Sequence, residues 1–384
     1  MIATQAQRAR ASRTRLASPR TLRVLVLVVV SVLVSSGAAY GATQNASGLA
    51  AARAALAASQ KPSAGFTAPG PSINVKSLHG KTIWFIPISS EIPAVPPQAA
   101  GVQEAAAAAG MKYHTCDGNF IAATESACIT QAINSKAAGI VTNDIAPSTV
   151  ATATQDAASA HIPIVVMGQN GTNTKWLQYA PSDIPAELVA AAWIAAHSNG
   201  HANVLAAYIS GDSTTLAGTK AFANQLHKYC SACGYFTVSE PPSATTDWTS
   251  AVSSAILQHP SVTYVFSQYD NMLQYVQSGV QESGHKVDLL STAASLAALQ
   301  EVRAGGPDLA DDAINSNYYG WATTDQLFRM MLHKASPTYT GVPVRMFDST
   351  NIRSLKLTQA AALTGIWWGP LTYERDFEKL WNVG

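Results

Sequence analysis

The chain has 384 residues, of which 47% are hydrophobic and only 12% are charged, so it holds enough apolar side chains for two domain cores and is not a disordered protein. The net charge of +1 hides a segregation of charge, because the first 23 residues contain six arginines and no acid. The rest of the chain has 18 basic residues against 23 acidic ones. An acidic body without a basic stripe argues against nucleic-acid binding.

The first 41 residues have the pattern of a secretory signal peptide. Behind the arginines, Val24–Val34 is an apolar run interrupted only by Ser31, and small residues follow up to Ala42. The run is short for a membrane span, which needs about 20 residues. We expect cleavage after Gly41; the alternative is an uncleaved segment that tethers the protein to the membrane. Either way the protein is exported to the periplasm or the exterior of the cell envelope.

Residues 42–78 are rich in Ala, Ser, Pro and Gly and predict a linker with one possible helix, Ser47–Ser59. Regular structure begins with the buried-strand pattern Lys81–Ile88. Strands and helices then alternate, which predicts a parallel sheet covered on both faces. This first series comprises the helices Pro97–Ala109, Ala127–Lys136 and Ser148–Ala160 and the strands Met111–Thr115, Gly139–Thr142 and Ile162–Met167.

A second alternating series begins after Pro181. It comprises the helices Pro185–His197, Thr215–Tyr229, Thr249–Gln258 and Met272–Gly279 and the strands Asn203–Ile209, Tyr235–Ser239, Tyr264–Ser267 and Val287–Ser291. Two successive series predict an α/β fold of two doubly wound parallel-sheet lobes.

The four cysteines are Cys116, Cys128, Cys230 and Cys233. An even number in an exported chain suggests two disulfides, and their order favours the local pairs Cys116–Cys128 and Cys230–Cys233. The Cys-x-x-Cys spacing of the second pair also suits a redox motif or half of a zinc site. There is no second such motif, so we expect no metal.

Polar side chains follow the predicted strands, where ligands bind in parallel sheets. Carboxylates, amides and hydroxyls in these loops suit hydrogen bonding to a polyol, although the same residue types cap helices and form turns. The candidate ligand-binding residues in these loops are Ser89, Ser90, Glu91, Asp117, Asn143, Gln169, Asn170, Asp212, Tyr269 and Asp270. Trp248, in a polar loop, is a candidate for stacking on a sugar, and Asn315, at an expected crossing between the lobes, completes the set.

Several strings resemble the type I periplasmic binding proteins, the sugar-binding branch typified by ribose-binding protein. They are Lys81–Pro87, Gly101–Met111, Ala138–Val141, His161–Val165 and His259–Met272. The resemblance implies a three-crossing hinge, with crossings near 179–182, 315–317 and 342–345. It implies an N-terminal lobe of residues 79–180 and 317–342 and a C-terminal lobe of residues 181–316 and 343–384. A small ligand would be closed between the lobes and delivered to a membrane ABC permease.

The sequence departs from this family where its members grip a sugar. The usual Asp-Arg pair is Gly168-Gln169, the first-loop aromatic pair falls near Ala94-Val95, and the usual Asn before Asp270 is Tyr269. A sugar is therefore the expected class of ligand, without an expected identity.

Three other functions compete with solute binding for a transporter. No metalloprotease, hydrolase, P-loop or dinucleotide motif occurs, so we expect neither an enzyme nor a cofactor. A repressor of this fold would need a helix-turn-helix where the leader lies. A receptor that signals to a membrane kinase or chemoreceptor, or a binding protein for a solute other than a sugar, remains an alternative. We expect a monomer.

Overall fold

The computed structural model describes residues 46–63, 66–180, 184–211, 213–241, 247–335 and 341–383. The predicted leader and its cleavage site lie outside these ranges. Residues 46–59 form the first helix, α1, and eleven further α-helices, two short 3-10 helices and eleven strands follow among the described residues.

The first lobe is built on a five-stranded parallel sheet in the order β2-β1-β3-β4-β5. Its strands are β1 (Thr82–Pro87), β2 (Lys112–Thr115), β3 (Gly139–Asn143), β4 (Ile164–Met167) and β5 (Leu177–Tyr179), and its helices are α2 (Val95–Ala108), α3 (Ala122–Asn134), α4 (Ala151–Ser159) and α10 (Ser316–Met331). Successive strand residues point to opposite faces. Phe85 therefore packs in the core shared with α2 and α10, while Trp84 and Ile86 pack in the core shared with α3 and α4.

The second lobe is built on a six-stranded sheet in the order β11-β10-β9-β8-β6-β7, in which only the β10–β11 pair is antiparallel. Its strands are β6 (Asn203–Ile209), β7 (Gly234–Glu240), β8 (Tyr264–Ser267), β9 (Asp288–Thr292), β10 (Asp308–Ile314) and β11 (Val344–Asp348). Its helices are α5 (Ile184–His197), α6 (Ser213–Tyr229), α7 (Asp247–Gln258), α8 (Asp270–Ser283), α9 (Leu296–Ala304) and the short α11 (Gln359–Ala362). The prediction of two doubly wound lobes is confirmed.

Three chain crossings run between the two sheets, as expected, and the two ends of the described chain add further passages that are described below. The chain passes from β5 to α5, returns from β10 to α10, and passes again from α10 to β11. The second and third crossings are adjacent, because the Asn315 amide donates to the Pro343 carbonyl at 2.7 Å. This is the hinge about which the lobes would move.

Residues 42–78 were expected to form a linker with one possible helix, Ser47–Ser59. That helix is present as α1, and the described part of the segment packs against both lobes. We call residues 46–63 and 66–78 the N-terminal strap. In α1, Ala52 is fully buried in the core of the second lobe, whereas Ile73 and Val75 belong to the core of the first lobe. The strap therefore crosses between the lobes beside the hinge.

The C-terminal segment also returns to the first lobe, although residues 343–384 were expected in the second. Helix α12 (Thr372–Leu380) and the residue after it place Tyr373, Phe377 and Trp381 on one face. These rings pack against α10, where Trp321 stacks on Trp381 with ring centroids 5.5 Å apart. Burial of this aromatic face holds the end of the chain on the first lobe.

Both expected disulfides, Cys116–Cys128 and Cys230–Cys233, are present. The first joins the loop after β2 to α3, and the second closes the turn between α6 and β7. Among the described helices, none has both the length and the apolar character needed to cross a membrane.

Candidate functional site

The carboxyl ends of the parallel strands of both sheets lie at the cleft between the lobes. The lobes touch there, because the Asn170 side-chain amide, after β4, donates to the Thr214 hydroxyl in the first turn of α6 at 3.2 Å. Asn143 ends β3 and is paired in register with Met167 at the end of β4. The loop that carries Asn170 therefore starts beside Asn143.

The first lobe contributes a buried amide pair to this region. Asn143 is fully buried, and its Nδ2 donates to Oε1 of Gln98 in the first turn of α2 at 3.1 Å. Asn143 Oδ1 is buried and has no hydrogen-bond partner among the described residues. A buried acceptor without a partner costs about 1–3 kcal/mol, which a donor from a ligand would recover.

The second lobe contributes a matching amide. Gln268, after β8, donates from Nε2 to Glu187 Oε1 in α5 and to the Thr215 carbonyl in α6, each at 2.9 Å. Its Oε1 is buried and lacks a partner within the described ranges. Gly218 makes this packing possible, because a Cβ there would lie 2.7 Å from Glu187 Oε1.

The loop at residues 168–170 is held against α10, which begins at the second crossing and which we call the hinge helix. The Gly168 amide donates to the Tyr319 hydroxyl of α10 at 3.1 Å. Gly168 has φ +70°, and a Cβ there would lie 1.8 Å from Asp144 Oδ1. Only glycine fits at this position, since the left-handed backbone and the close carboxylate both exclude a side chain. The loop can thus present Asn170 to the second lobe from a fixed base, and Gln169 beside it is buried.

The chemistry that this region offers is hydrogen bonding. Asn143 Oδ1 and Gln268 Oε1 are neutral acceptors, one on each lobe. Hydroxyl groups donate to such acceptors without a charge having to be desolvated. Within the described part of the chain, no group of three His, Cys, Asp or Glu side chains is arranged to hold a metal ion.

A family model described as a periplasmic binding protein domain matches residues 83–335, which include the sheets of both lobes up to α10. The chain belongs to this family. The resemblance seen in the sequence is thereby confirmed, and the family is one of solute-binding proteins.

Solved structures of periplasmic binding proteins share the fold. A sugar ABC transporter protein from Yersinia enterocolitica has a TM-score of 0.64 and 17% identity, over 83% of this chain and 99% of that one. An arabinose binding protein from Geobacillus stearothermophilus has a TM-score of 0.62 and 16% identity, over 72% and 99%. A carbohydrate transporter from Acidothermus cellulolyticus, in complex with myo-inositol, has a TM-score of 0.57 and 16% identity, over 72% and 96%. A comparison with curated protein sequences found no match.

In this periplasmic binding protein, the candidate ligand-binding residues that follow β1 and β2 form a turn at the edge of the first lobe. Asp117 accepts hydrogen bonds from the Ser90 amide at 3.0 Å, from the Ser90 hydroxyl and from the Asn119 amide at 2.9 Å. Burial would raise the pKa of Asp117, but these hydrogen bonds outweigh it and the pKa is lowered. Ser89 accepts from the Glu91 amide at 3.2 Å. Glu91 itself is exposed.

Asp270 was expected to accept hydrogen bonds from a ligand, and the structure shows that one of its oxygens has a structural role. Its Oδ2 accepts from the Ser295 amide at 2.7 Å, so the carboxyl group joins the start of α8 to the start of α9. Burial raises its pKa to about 6, against hydrogen bonds from Ser295 that lower it. Its Oδ1 is buried without a hydrogen-bond partner among the described residues, so ligand contact by Asp270 stays a prediction.

The predictions for Trp248 and Asn315 are corrected by the structure. Trp248 is only 2% exposed and packs in the core between α7, α8 and the sheet, so no ring face is available for stacking. Asn315 caps α10 by accepting from the Tyr318 amide at 3.0 Å and donates to the Gly365 carbonyl. Tyr269 is half-buried at the N-cap of α8. Asp212 lies outside the described residues.

Sequence reasoning missed Gln98, Glu187, Thr214 and Gln268. Gln268 lies beside the predicted Tyr269, so the strand-end rule indicated its loop but not the side chain. The other three lie in the first turns of α2, α5 and α6. Helix starts follow strand ends in this fold, and buried polar residues in those first turns were the signal that could have found them.

Proposed function

We propose that this protein captures a small polar ligand, a sugar or polyol, between its lobes and delivers it to a membrane ABC permease. The observation that carries the proposal is the pair of buried acceptors, Asn143 Oδ1 and Gln268 Oε1, on opposite lobes next to the Asn170–Thr214 contact. A ligand that donates to both acceptors favours the closed arrangement over an open one by those contacts.

The fold neighbours support this class of ligand. The Acidothermus protein holds myo-inositol and the Geobacillus protein is an arabinose binding protein. Both ligands present several hydroxyl groups and no charge, which matches neutral amide acceptors. We propose Asn143, Gln169, Asn170 and Gln268 as the ligand-contacting residues, and binding without catalysis as the activity.

A thermal-shift screen of the purified protein tests the ligand class. Sugars and polyols should raise the melting temperature, whereas amino acids and nucleosides should not. A ligand at about 100 times its dissociation constant adds about 2.7 kcal/mol to the free energy of unfolding. Stabilisation by amino acids alone would contradict the proposed class.

The two acceptors should each contribute to affinity for the ligand identified in that screen. Asn143→Ala and Gln268→Ala should each weaken binding about fivefold, because each removes one neutral hydrogen bond worth about 1 kcal/mol. Calorimetry measures the change, and Gln258→Ala, which removes an exposed amide at the end of α7, is the matched control. Unchanged affinity in both cleft variants would place the site elsewhere.

Periplasmic binding proteins act outside the cytoplasm, and we propose that residues 1–41 direct the export and are then removed. Mass spectrometry of the exported protein should find a mature N-terminus close to Ala42. Full-length protein that starts at Met1 in the membrane fraction would instead support an uncleaved tether.

A further inference from the structure

A second concave surface lies on the first lobe at the edge where its strands begin. It is a groove of about 650 Å³ lined by residues that precede β1, β3, β4 and β5 and by the ends of α3, α4 and α10. Parallel strands begin at one edge of a sheet and end at the other, so this groove lies opposite the cleft. We call it the basic groove and define it by Lys81, Lys136, His161, Lys175, Trp176 and His333.

The basic groove concentrates positive charge on a chain whose residues 24–384 carry 18 basic and 23 acidic side chains. Three lysines and two histidines line it, and there is no Asp or Glu among its described lining residues. All five basic side chains are exposed. In the described ranges none of the three lysines forms an ion pair. Their charges are therefore available to a ligand.

Trp176 holds several of these side chains in one place. The Lys175 ammonium lies 4.8 Å from the centre of the indole ring. The imidazoles of His161 and His333 lie 5.1 and 6.4 Å from it, measured between ring centroids. A cation over an indole face is attracted by the ring, so the groove positions its donors before any ligand arrives.

Three of the basic residues occupy a backbone conformation that favours glycine. Lys136, His161 and His333 follow α3, α4 and α10 with φ of 58°, 59° and 53°, whereas Gly110 takes this place after α2. A cation at a helix C-terminus also offsets the helix dipole, which is a structural role that needs no ligand. That role does not explain Lys81 and Lys175, which precede strands and line the same groove.

We infer that the basic groove binds a multivalent anion with phosphate-type groups. Lysine ammonium groups bind phosphate oxygens as charge-assisted donors, and imidazole nitrogens add further donors. The phosphate groups belong either to a free polyphosphate or to the head groups of anionic phospholipids. This site is separate from the cleft, and its ligand is not the transported solute.

Calorimetry with inorganic tripolyphosphate at low salt tests the inference. Lys136→Gly and Lys175→Ala should each weaken binding roughly tenfold, the loss expected for one hydrogen bond to a charged group. The glycine variant should keep its melting temperature, because glycine accepts the left-handed backbone that Lys136 occupies. Lys286→Ala, which removes an exposed lysine from the second lobe, should leave binding unchanged.

A flotation assay distinguishes the two sources of phosphate. Vesicles of phosphatidylcholine with phosphatidylglycerol should carry the protein if lipid head groups are the ligand, and pure phosphatidylcholine vesicles should not. Binding of tripolyphosphate without vesicle binding would assign a free anion. The inference is overturned if neither probe binds, if both groove variants bind like the wild type, or if Lys286→Ala weakens binding as much as they do.

Discussion

Replacing Asp325 by alanine should lower the free energy of unfolding by about 3–5 kcal/mol, the usual cost of leaving a buried charge without its partner. Asp325 and Arg329 form an ion pair inside α10 at 2.9 Å, with side chains 0% and 2% exposed. Asp325 also accepts from the Trp381 indole at 2.7 Å, and Arg329 donates to the Pro71 carbonyl at 2.9 Å. One carboxylate thus ties together the hinge helix, the C-terminal segment and the N-terminal strap.

Urea unfolding followed by tryptophan fluorescence measures this loss. The control is Asp376→Ala, which breaks the exposed pair with Lys379 and should change stability by about 0.5 kcal/mol at most. The double variant Asp325→Ala, Arg329→Met should recover part of the loss, because it removes the stranded guanidinium. A loss in Asp325→Ala no larger than in the control would show that the network does not hold these segments.

The two lobes were predictable because their signals are local. A buried strand such as Lys81–Ile88, or a helix between two strands, is indicated by the pattern of a few consecutive residues. Right-handed βαβ connections then leave few ways to assemble these elements. The disulfide Cys230–Cys233 is likewise confined to one turn. In contrast, the aromatic pattern of α12 indicates a buried face but not the lobe that buries it, so its return to α10 could not be predicted from the sequence.

The candidate site was predicted at the level of loops and not of side chains. Asn143 ends β3, and Asn170 follows β4 and contacts Thr214 of the other lobe, but Asp270 follows a strand and turns inward to Ser295. The direction of a side chain depends on packing around it, which the strand-end rule ignores. Strand β10 was missed for a different reason, since Asp308, Asp311 and Asp312 are residues that strands disfavour.

Those three aspartates are fully buried and, with Asp270, form a group of four acids in the second lobe. Ser291 donates to Asp308 and Thr292 donates to Asp312, each at 2.7 Å, and the Ala294 amide donates to Asp311 at 3.0 Å. Burial raises the pKa of each β10 aspartate well above its usual value, and the charge of Asp270 raises it further.

These pKa values predict that stability falls as pH rises. Burial raises the pKa of Asp270 from 3.8 to about 6, so the folded state holds a proton that the unfolded state has released. Its contribution is complete below pH 3.8 and is lost as pH rises through about 6, and the loss amounts to about 3 kcal/mol. The β10 aspartates, whose pKa values are also raised, extend the fall to higher pH.

Asp311→Asn should reduce this fall and stabilise the protein at pH 8 by about 1–3 kcal/mol, because it removes one buried negative charge. The charge of Asp270 raises the pKa of Asp311, and an asparagine at position 311 has no carboxylate on which that charge could act. Its carbonyl oxygen can still accept from the Ala294 amide.

Urea midpoints of the variant and the wild type between pH 4 and pH 8 measure the difference in the slope of stability against pH. Asp376→Asn, at a partly exposed surface position, should leave the slope unchanged. Parallel profiles for Asp311→Asn and the wild type would mean that Asp311 takes up no proton on folding, and the pH dependence would then belong to other acids.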